Sequence, residues 1–303
     1  MEQNLTNVES FGASHSFTTR FGKFLKQLAE RPLSLIGTFI VVLFLFIAVT
    51  GPLIAPHGYD EFMRDDEGAL MRRTEPSLQH PFGTDKDGRD IFSRVIWGTR
   101  EIILLPGIAT TIAVILGTSI GLTVGYYGGW FDEIVSQLMD SLLSIPALVL
   151  ALVMLGTFGQ SEIGIIIVVV LLYTPIVARI IRSTTLNIRT LGYIEAAKLR
   201  GESTPYILFR EILPGVLPAL VVEAALRFSY AIFLIASLGF LGLGVPPPSP
   251  SWGRMVEEAR GEYLQAPWAL WAPVIAIALL VVGVNLMADG LRRIFRHEID
   301  KVS

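Results

Sequence analysis

Six stretches of this chain are apolar for long enough to cross a lipid bilayer, and they limit its fold more than any other feature. They run from about Leu33 to Ile54, Ile102 to Tyr126, Ser141 to Phe158, Ile163 to Ile181, Val216 to Leu241 and Ala269 to Leu286. A helix rises 1.5 Å per residue, so roughly 20 residues traverse a hydrocarbon core of about 30 Å. The third stretch is the shortest. Lipid gives backbone amides no partners, and these stretches lack the two-residue alternation of a barrel strand, so helices are the spanning form to expect. The predicted fold class is all-α: a polytopic membrane protein with six transmembrane helices.

Composition agrees. Hydrophobic residues make up 52% of the chain and charged residues 17%, where soluble proteins average about 25% charged. A formal net charge of -3 argues against a nucleic-acid partner, which calls for a basic stripe. With no cysteine, disulfides, thiolate metal sites and thiol nucleophiles are excluded.

The basic residues cluster by topology. Arg20, Lys23, Lys26 and Arg31 precede the first span; Arg179, Arg182, Arg189, Lys198, Arg200 and Arg210 lie around the loop between the fourth and fifth; Arg292, Arg293, Arg296 and Lys301 follow the last. Six spans put all three groups on one side, which the positive-inside rule makes the cytoplasm. Arg64, Arg72, Arg73, Lys86, Arg89 and Arg94 in the first external loop oppose this, among more numerous acids. The first apolar stretch is longer than a signal core and lacks a clear cleavage site, so it is expected to remain as an anchor. Ahead of it Phe21, Phe24, Leu25 and Leu28 recur at helical spacing, the pattern of an interfacial helix broken at Pro32 or of an extension of the first span.

Between the fourth and fifth spans Glu195 to Pro214 reads EAAKLRGESTPYILFREILP. Gly201 suits the left-handed position just past a helix end, and Thr204 and Pro205 suit the N-cap and first position of the next helix. A helix, an elbow and a second helix are predicted, too polar to span and suited to docking.

Three further features bear on function. Gly117, Gly121 and Gly125 stand four apart in the second span, a stripe that lets another helix approach or lines a pathway. Tyr126, Tyr127 and Trp130 follow as interfacial anchors. In the fifth span Glu223 and Arg227 stand four apart, acid first, the favourable order for a helical ion pair. They are either a self-satisfying pair or a polar element in a solute path. Asp140 and Asp289 fall near helix ends.

Catalytic machinery is not found. Gly22-Lys23 is followed by Phe24, not the Ser or Thr of a phosphate-binding loop. No His-Glu-x-x-His helix occurs, and His15, His57, His80 and His297 are scattered, with His80 read as a loop residue. No catalytic, cofactor-binding or metal-ligating residue is assigned.

The elbow segment resembles the EAA loop of the membrane subunits of bacterial ATP-binding-cassette importers, in which Glu-Ala-Ala, three residues and Gly precede an apolar helix ending in Leu-Pro. Glu195, Ala196, Ala197, Gly201, Ile212, Leu213 and Pro214 match. His80 to Asp85, Gly88 to Asp90 with Ser93-Arg94, Gly125 to Asp132, Phe240 to Gly244, Pro247 to Gly253, and Asn285 with Asp289 to Arg292 resemble the dipeptide, oligopeptide and nickel permease family, and within it the C-type member of a permease pair. Glu211, Gly215 and Gly239 depart from its pattern, where histidine, asparagine and serine are common.

The resemblance implies a non-catalytic permease subunit of a type I importer. Its implied partners are a second permease subunit, forming a heterodimer, one or two ATPase subunits that bind ATP and magnesium, an extracytoplasmic solute-binding protein, and membrane lipid. The loop from Ala55 to Gly98 and the segment from Val245 to Pro267 are the surfaces expected to meet the binding protein, or else to pack on the spans. The cargo implied is a di- or oligopeptide, with nickel, opines or oligosaccharides as alternatives. The location implied is the cytoplasmic membrane of a bacterium or archaeon, both termini inside. The expected organisation is a tail with an interfacial helix (1–32), a first span (33–55), an external loop (56–99), a permease core (100–291) holding the coupling loop 183–214, and a tail (292–303). An ion-gradient carrier is disfavoured by the sparse charge within the spans, and a receptor that docks a signalling protein without transport is the remaining alternative.

Overall fold

The computed structural model describes residues 32–299, and the proposed interfacial helix lies outside them. Nine helices account for about three quarters of that length: α1 Pro32–Ile54, α2 Ile91–Tyr127, α3 Gly129–Leu143, α4 Ala147–Phe158, α5 Glu162–Ile188, α6 Gly192–Leu199, α7 Thr204–Phe240, α8 Trp252–Arg260 and α9 Pro267–Ile299. Among the described residues the extended backbone amounts to three isolated bridges in the first loop, Phe62 with Arg89, Arg64 with Leu70 and Thr84 with Asp90. The fold is all-α.

Helix α1 shows how a spanning helix inverts the soluble pattern. Ser34, Gly37, Val41, Phe44 and Gly51 form a narrow buried stripe, while Leu33, Phe39, Val42, Phe46 and Val49 stand exposed. Outward apolar side chains suit lipid contact, and close approach through small residues supplies the packing. Gly37 lies against Leu286 and Met287 of α9, Gly51 against Ile96 of α2 and Phe44 against the Trp252 ring of α8. Asn285 of α9 donates from Nδ2 to Ser229 Oγ at 2.7 Å, fastening α9 to α7 in turn.

Helix α2 is the spine. At 37 residues it is about 55 Å long, and three buried clusters follow one another along it. Ile91, Ile102 and Ile103 pack with Val41, Phe44, Trp252 and Leu280; Leu105, Ala109 and Ala113 pack with Leu155, Val169 and Leu238; Leu122 packs with Val177, Ile181, Ile194 and Ile212. The first loop and α8 therefore sit at one end of the spine and the elbow at the other.

Several expectations change. The helix that holds the second apolar run starts at Ile91, eleven residues before that run, so the last nine residues of the range 56–99 are helical. Asp90 caps the helix by accepting from the Ser93 amide at 2.8 Å, which satisfies an otherwise unpaired donor. Its other carboxylate oxygen meets His80 Nδ1 at 2.9 Å, so His80, read as a loop residue, is a buried part of this cap. Four of the five helices long enough to span extend past their apolar runs in this way, and α9 runs on to Ile299.

The third apolar stretch is not one helix over Ser141 to Phe158. It is the pair α3 and α4, bent by 82°. Pro146 has no N–H and disfavours a helical residue before it, so α3 closes with the Ser144 amide bonded to Asp140 O and α4 starts afresh. Helix α4 has 12 residues, about 18 Å, too short to cross alone. Five helices are long and apolar enough to cross a membrane, or six with this bent pair as one span.

The second helix of the elbow is not separate from the fifth span. Thr204 to Phe240 is one 37-residue helix containing a π-type turn over Ile207–Ile212, where the Leu213 amide reaches back to Leu208 O. The absent N–H of Pro214 falls just after this widened turn, which takes up the break in the hydrogen-bond ladder. The segment Val245 to Pro267, read as a loop, contains α8. Its Trp252 is fully buried and donates from Nε1 to Val95 O at 2.9 Å.

At this end of α2 the first loop is fastened by charge. Arg94 Nη1 donates to Asp85 Oδ2 at 2.7 Å and to Glu258 Oε2 at 3.1 Å; Arg89 bonds the same two carboxylates at 2.8 and 3.1 Å; Arg254 reaches Glu258 Oε1 at 3.2 Å. Arg73 adds a bond to Glu262 at 2.7 Å, which holds the Glu262 carboxyl below its usual range.

Candidate functional site

The elbow is built by a helix stop that pairs the amides of Arg200, Gly201 and Glu202. Helix α6 ends at Leu199 with Arg200 as its cap. The Gly201 amide bonds Lys198 O at 3.0 Å and the Glu202 amide bonds Ala197 O at 3.2 Å, the pair of contacts that defines a Schellman stop. Gly201 sits at φ +77°, where a side chain is strained. Ser203, with extended backbone, is the cap of α7; Thr204, expected there, is already helical, and Pro205 lies in the first turn where its missing N–H costs nothing.

The matched residues divide into two sets. Ala197 and Ile212 are fully buried and Leu213 is half-buried. With Ile194, Ile207 and Val216 they pack on Leu122, Val177 and Ile181, which seats the elbow on α2 and α5. Glu195, Ala196, Gly201 and Pro214 are exposed. Near them Leu191, Tyr193, Leu199 and Phe209 are also exposed, Leu199 at 90%. An exposed leucine on a short helix, beside acidic Glu195, gives this end of the molecule an apolar and charged surface of the kind that docks a partner. Leu199 was not singled out from sequence, because one leucine among charges carries no periodic signal.

Three arginines tie α5 to its neighbours, one to the spine and two to α3. Arg189, the cap of α5, donates from Nη1 to the carbonyls of Gly125 and Tyr126 at 3.0 and 3.1 Å. A cation there faces the negative end of α2. Arg182 Nη2 donates to Asp132 Oδ2 at 2.7 Å, with a second contact from Nε to Oδ1. Arg179 pairs with Asp140 on the same face of α3. Lys198 stands 5.2 Å above the Tyr126 ring, while Tyr127 and Trp130 are exposed. Arg200 spans to Glu202 and Glu211, each at 3.5 Å. Burial, with the Glu211 charge, raises the Tyr193 hydroxyl above its ordinary value.

The glycine stripe lies against α5. A Cβ on Gly117 would fall 2.7 Å from Val177 Cβ, on Gly121 2.6 Å from Ala178 O, and on Gly125 2.8 Å from Thr185 Cβ. These distances are below contact, so the stripe is where two helix backbones meet. Glu223 and Arg227 do meet, Oε1 to Nε at 2.6 Å, off the line of the N–H and so as an ion pair without a formed hydrogen bond. Asp289 lies 3.8 Å from Arg293. Among the described residues no group of three or more His, Asp or Glu side chains is placed to hold a metal ion.

Residues 113–301 match the family described as "Binding-protein-dependent transport system inner membrane component", and residues 19–81 match "N-terminal TM domain of oligopeptide transport permease C". The dipeptide transport system permease protein DppC of Alkalihalophilus pseudofirmus is 38% identical over 267 residues, 88% of this chain and 86% of that protein. The glutathione transport system permease protein GsiD of Shigella dysenteriae is 37% identical over 275 residues, 90% of this chain and 89% of that protein. Among solved structures, inward-facing forms of the MetNI methionine ABC transporter superpose with TM-scores of 0.56 and 0.57 at 19% and 20% identity. They cover 67% and 68% of this chain and 96% and 97% of theirs. At that identity the likeness is one of fold.

Proposed function

The chain belongs to the family of binding-protein-dependent transport system inner membrane components, as a permease subunit of an ABC importer, and from that premise we propose that it forms, with a paralogous second permease, the path for peptides handed over by a solute-binding protein. The elbow couples this path to separate ATPase subunits, which bind the ATP and magnesium. The observation that carries the reading is the division of the elbow: Ala197 and Ile212 lock it to the spans while Glu195, Ala196 and Leu199 remain open. A partner groove that takes the open face of α6 is a helix-in-groove contact. Movement of that helix on ATP binding is passed to α2 and α5 through the packed cluster beneath it, provided the ATP-bound partner prefers one membrane conformation. The elbow then faces the cytoplasm, and so do both termini.

Two similarities support the cargo: the named relatives act on a dipeptide and on glutathione, itself a peptide. Uptake of labelled dipeptide into proteoliposomes holding the whole complex tests the reading. Uptake is expected to require ATP, and Gly201→Asp is expected to leave hydrolysis running while uptake stops. Normal uptake by that variant sinks the coupling assignment, and uptake that ignores ATP but collapses with an uncoupler makes the chain a gradient-driven carrier.

A further inference from the structure

The Glu223–Arg227 pair stands at the middle of the fifth span. Arg227 is eleven residues after Val216 and fourteen before Leu241, the bounds of the fifth apolar run, about 17 and 21 Å along the helix. A guanidinium at that depth is costly and belongs in a protein interior or beside water. Glu223 is buried and neutralises it, and Tyr173 of α5, also buried, lies 5.6 Å from it. The other side is open: Tyr230, whose ring is 4.9 Å from the guanidinium, is 50% exposed. The Glu223 contact engages Nε without a formed hydrogen bond, which leaves the charge-assisted donors of the fork for another group. The lipid-exposed side of α1 carries only apolar side chains at comparable depth, Val42, Leu43 and Phe46. A half-exposed phenol beside an arginine that keeps 14% of its side chain exposed is not a surface for hydrocarbon.

We propose that the α7 face bearing Arg227 and Tyr230 lines a water-filled path through the membrane, and that Arg227 takes the carboxylate of a passing solute, with Glu223 holding the charge when no solute is there. The ligand class is a carboxylate-bearing small solute, and the inference rests on the importer reading above. Glu223 stays at Nε while a solute carboxylate takes the Nη donors, so no state leaves a bare cation or a bare Glu223, and the second negative charge keeps binding weak enough for release.

The chain has no cysteine, so single thiols report unambiguously. In the assembled complex, Tyr230→Cys is expected to react with a charged, membrane-impermeant methanethiosulfonate and Val42→Cys on α1 is not. Equal inertness of the two overturns the path, because lipid or the second permease then covers Tyr230. The second readout compares a dipeptide with its C-terminal amide. Arg227→Gln is expected to raise KM for the free acid by about tenfold or more and to affect the amide little, given the strength of hydrogen bonds to charged groups. The double variant Glu223→Gln/Arg227→Gln, which leaves no unpaired buried carboxylate, is expected to do the same. Equal losses for acid and amide overturn the carboxylate assignment. If the wild-type complex takes up neither compound, the peptide cargo fails, while the thiol labelling still decides the path.

Discussion

Arg182 and Asp132 meet two-pronged, Nη2 to Oδ2 at 2.7 Å and Nε to Oδ1, and so join α5 to the start of α3 across fifty positions of sequence. Both side chains are largely out of solvent. The contact lies beside the arginine that caps α2, so movement at the elbow that shifts α5 reaches α2 and α3 together. Asp132→Asn is expected to cost about 1.5–3 kcal/mol, the usual worth of a hydrogen bond to a charged group, measured as a lowered midpoint of thermal unfolding in detergent. Exchanging the residues, Asp132→Arg with Arg182→Asp, is expected to recover part of that loss; no recovery contradicts a pairwise contact.

Gly201 has open space where a Cβ would stand, so the cost of replacing it is backbone strain alone. Gly201→Ala is expected to destabilise by about 1–2 kcal/mol. Gly201→Asn, which tolerates the left-handed region, is expected to lose less, and Gly201→Val more. Hydrogen exchange of the Glu202 amide reads the integrity of the turn directly.

Gly121 presents the opposite case. Its Cβ would stand 2.6 Å from Ala178 O, which is backbone and cannot step aside. Gly121→Val is expected to force α2 from α5 at a cost of about 1–3 kcal/mol, seen as lost yield of folded protein. Gly156→Ala in α4 meets nothing within 4 Å and is expected to be neutral or mildly stabilising.

In the first loop, Arg94 is 2% exposed at its side chain and serves both Asp85 and Glu258. Arg94→Met removes one of two guanidinium partners from Asp85 and one of three from Glu258, and is expected to cost about 1.5–3 kcal/mol, the worth of a hydrogen bond to a charged group. Arg73 and Glu262 form a more open pair. Because Arg73 depresses the Glu262 carboxyl, the stability it adds is present above the ordinary glutamate value of 4.5 and is lost as pH falls through the lower folded value. Protease resistance of the loop in wild type and Arg73→Gln is therefore expected to differ at neutral pH and to converge once pH has fallen through the depressed Glu262 value.

What sequence shows and what it hides follow from the range of the forces. Apolar run length located every long helix, because lipid contact is a property of each residue by itself. Gly201 was legible because a Schellman stop is local. The bend at Pro146 was not, since hydropathy has no direction and an apolar stretch reads the same straight or folded. The start of α2 was hidden by Arg94, Arg100 and Glu101, whose charges look like a loop until Arg94 is seen to be neutralised by Asp85 and Glu258. Proline at 214 reads as a helix end, yet the π-type turn before it carries α7 through. Arg189 on the carbonyls of Gly125 and Tyr126, and Arg182 on Asp132, depend on a tertiary arrangement that no spacing encodes. The elbow motif was visible whole, but its division into a buried set and an open set appears only once α6 is seated on α2 and α5.

That division is the central claim, and adjacent positions test it. Ala196 is exposed and Ala197 is fully buried. In the assembled complex a thiol at Ala196→Cys or Leu199→Cys is expected to crosslink to an ATPase subunit through a short bifunctional reagent, with a yield that changes when ATP is added, whereas Ala197→Cys stays unlinked. Crosslinking from Ala197→Cys alone, or no ATPase captured from any of the three while the complex imports normally, contradicts the account.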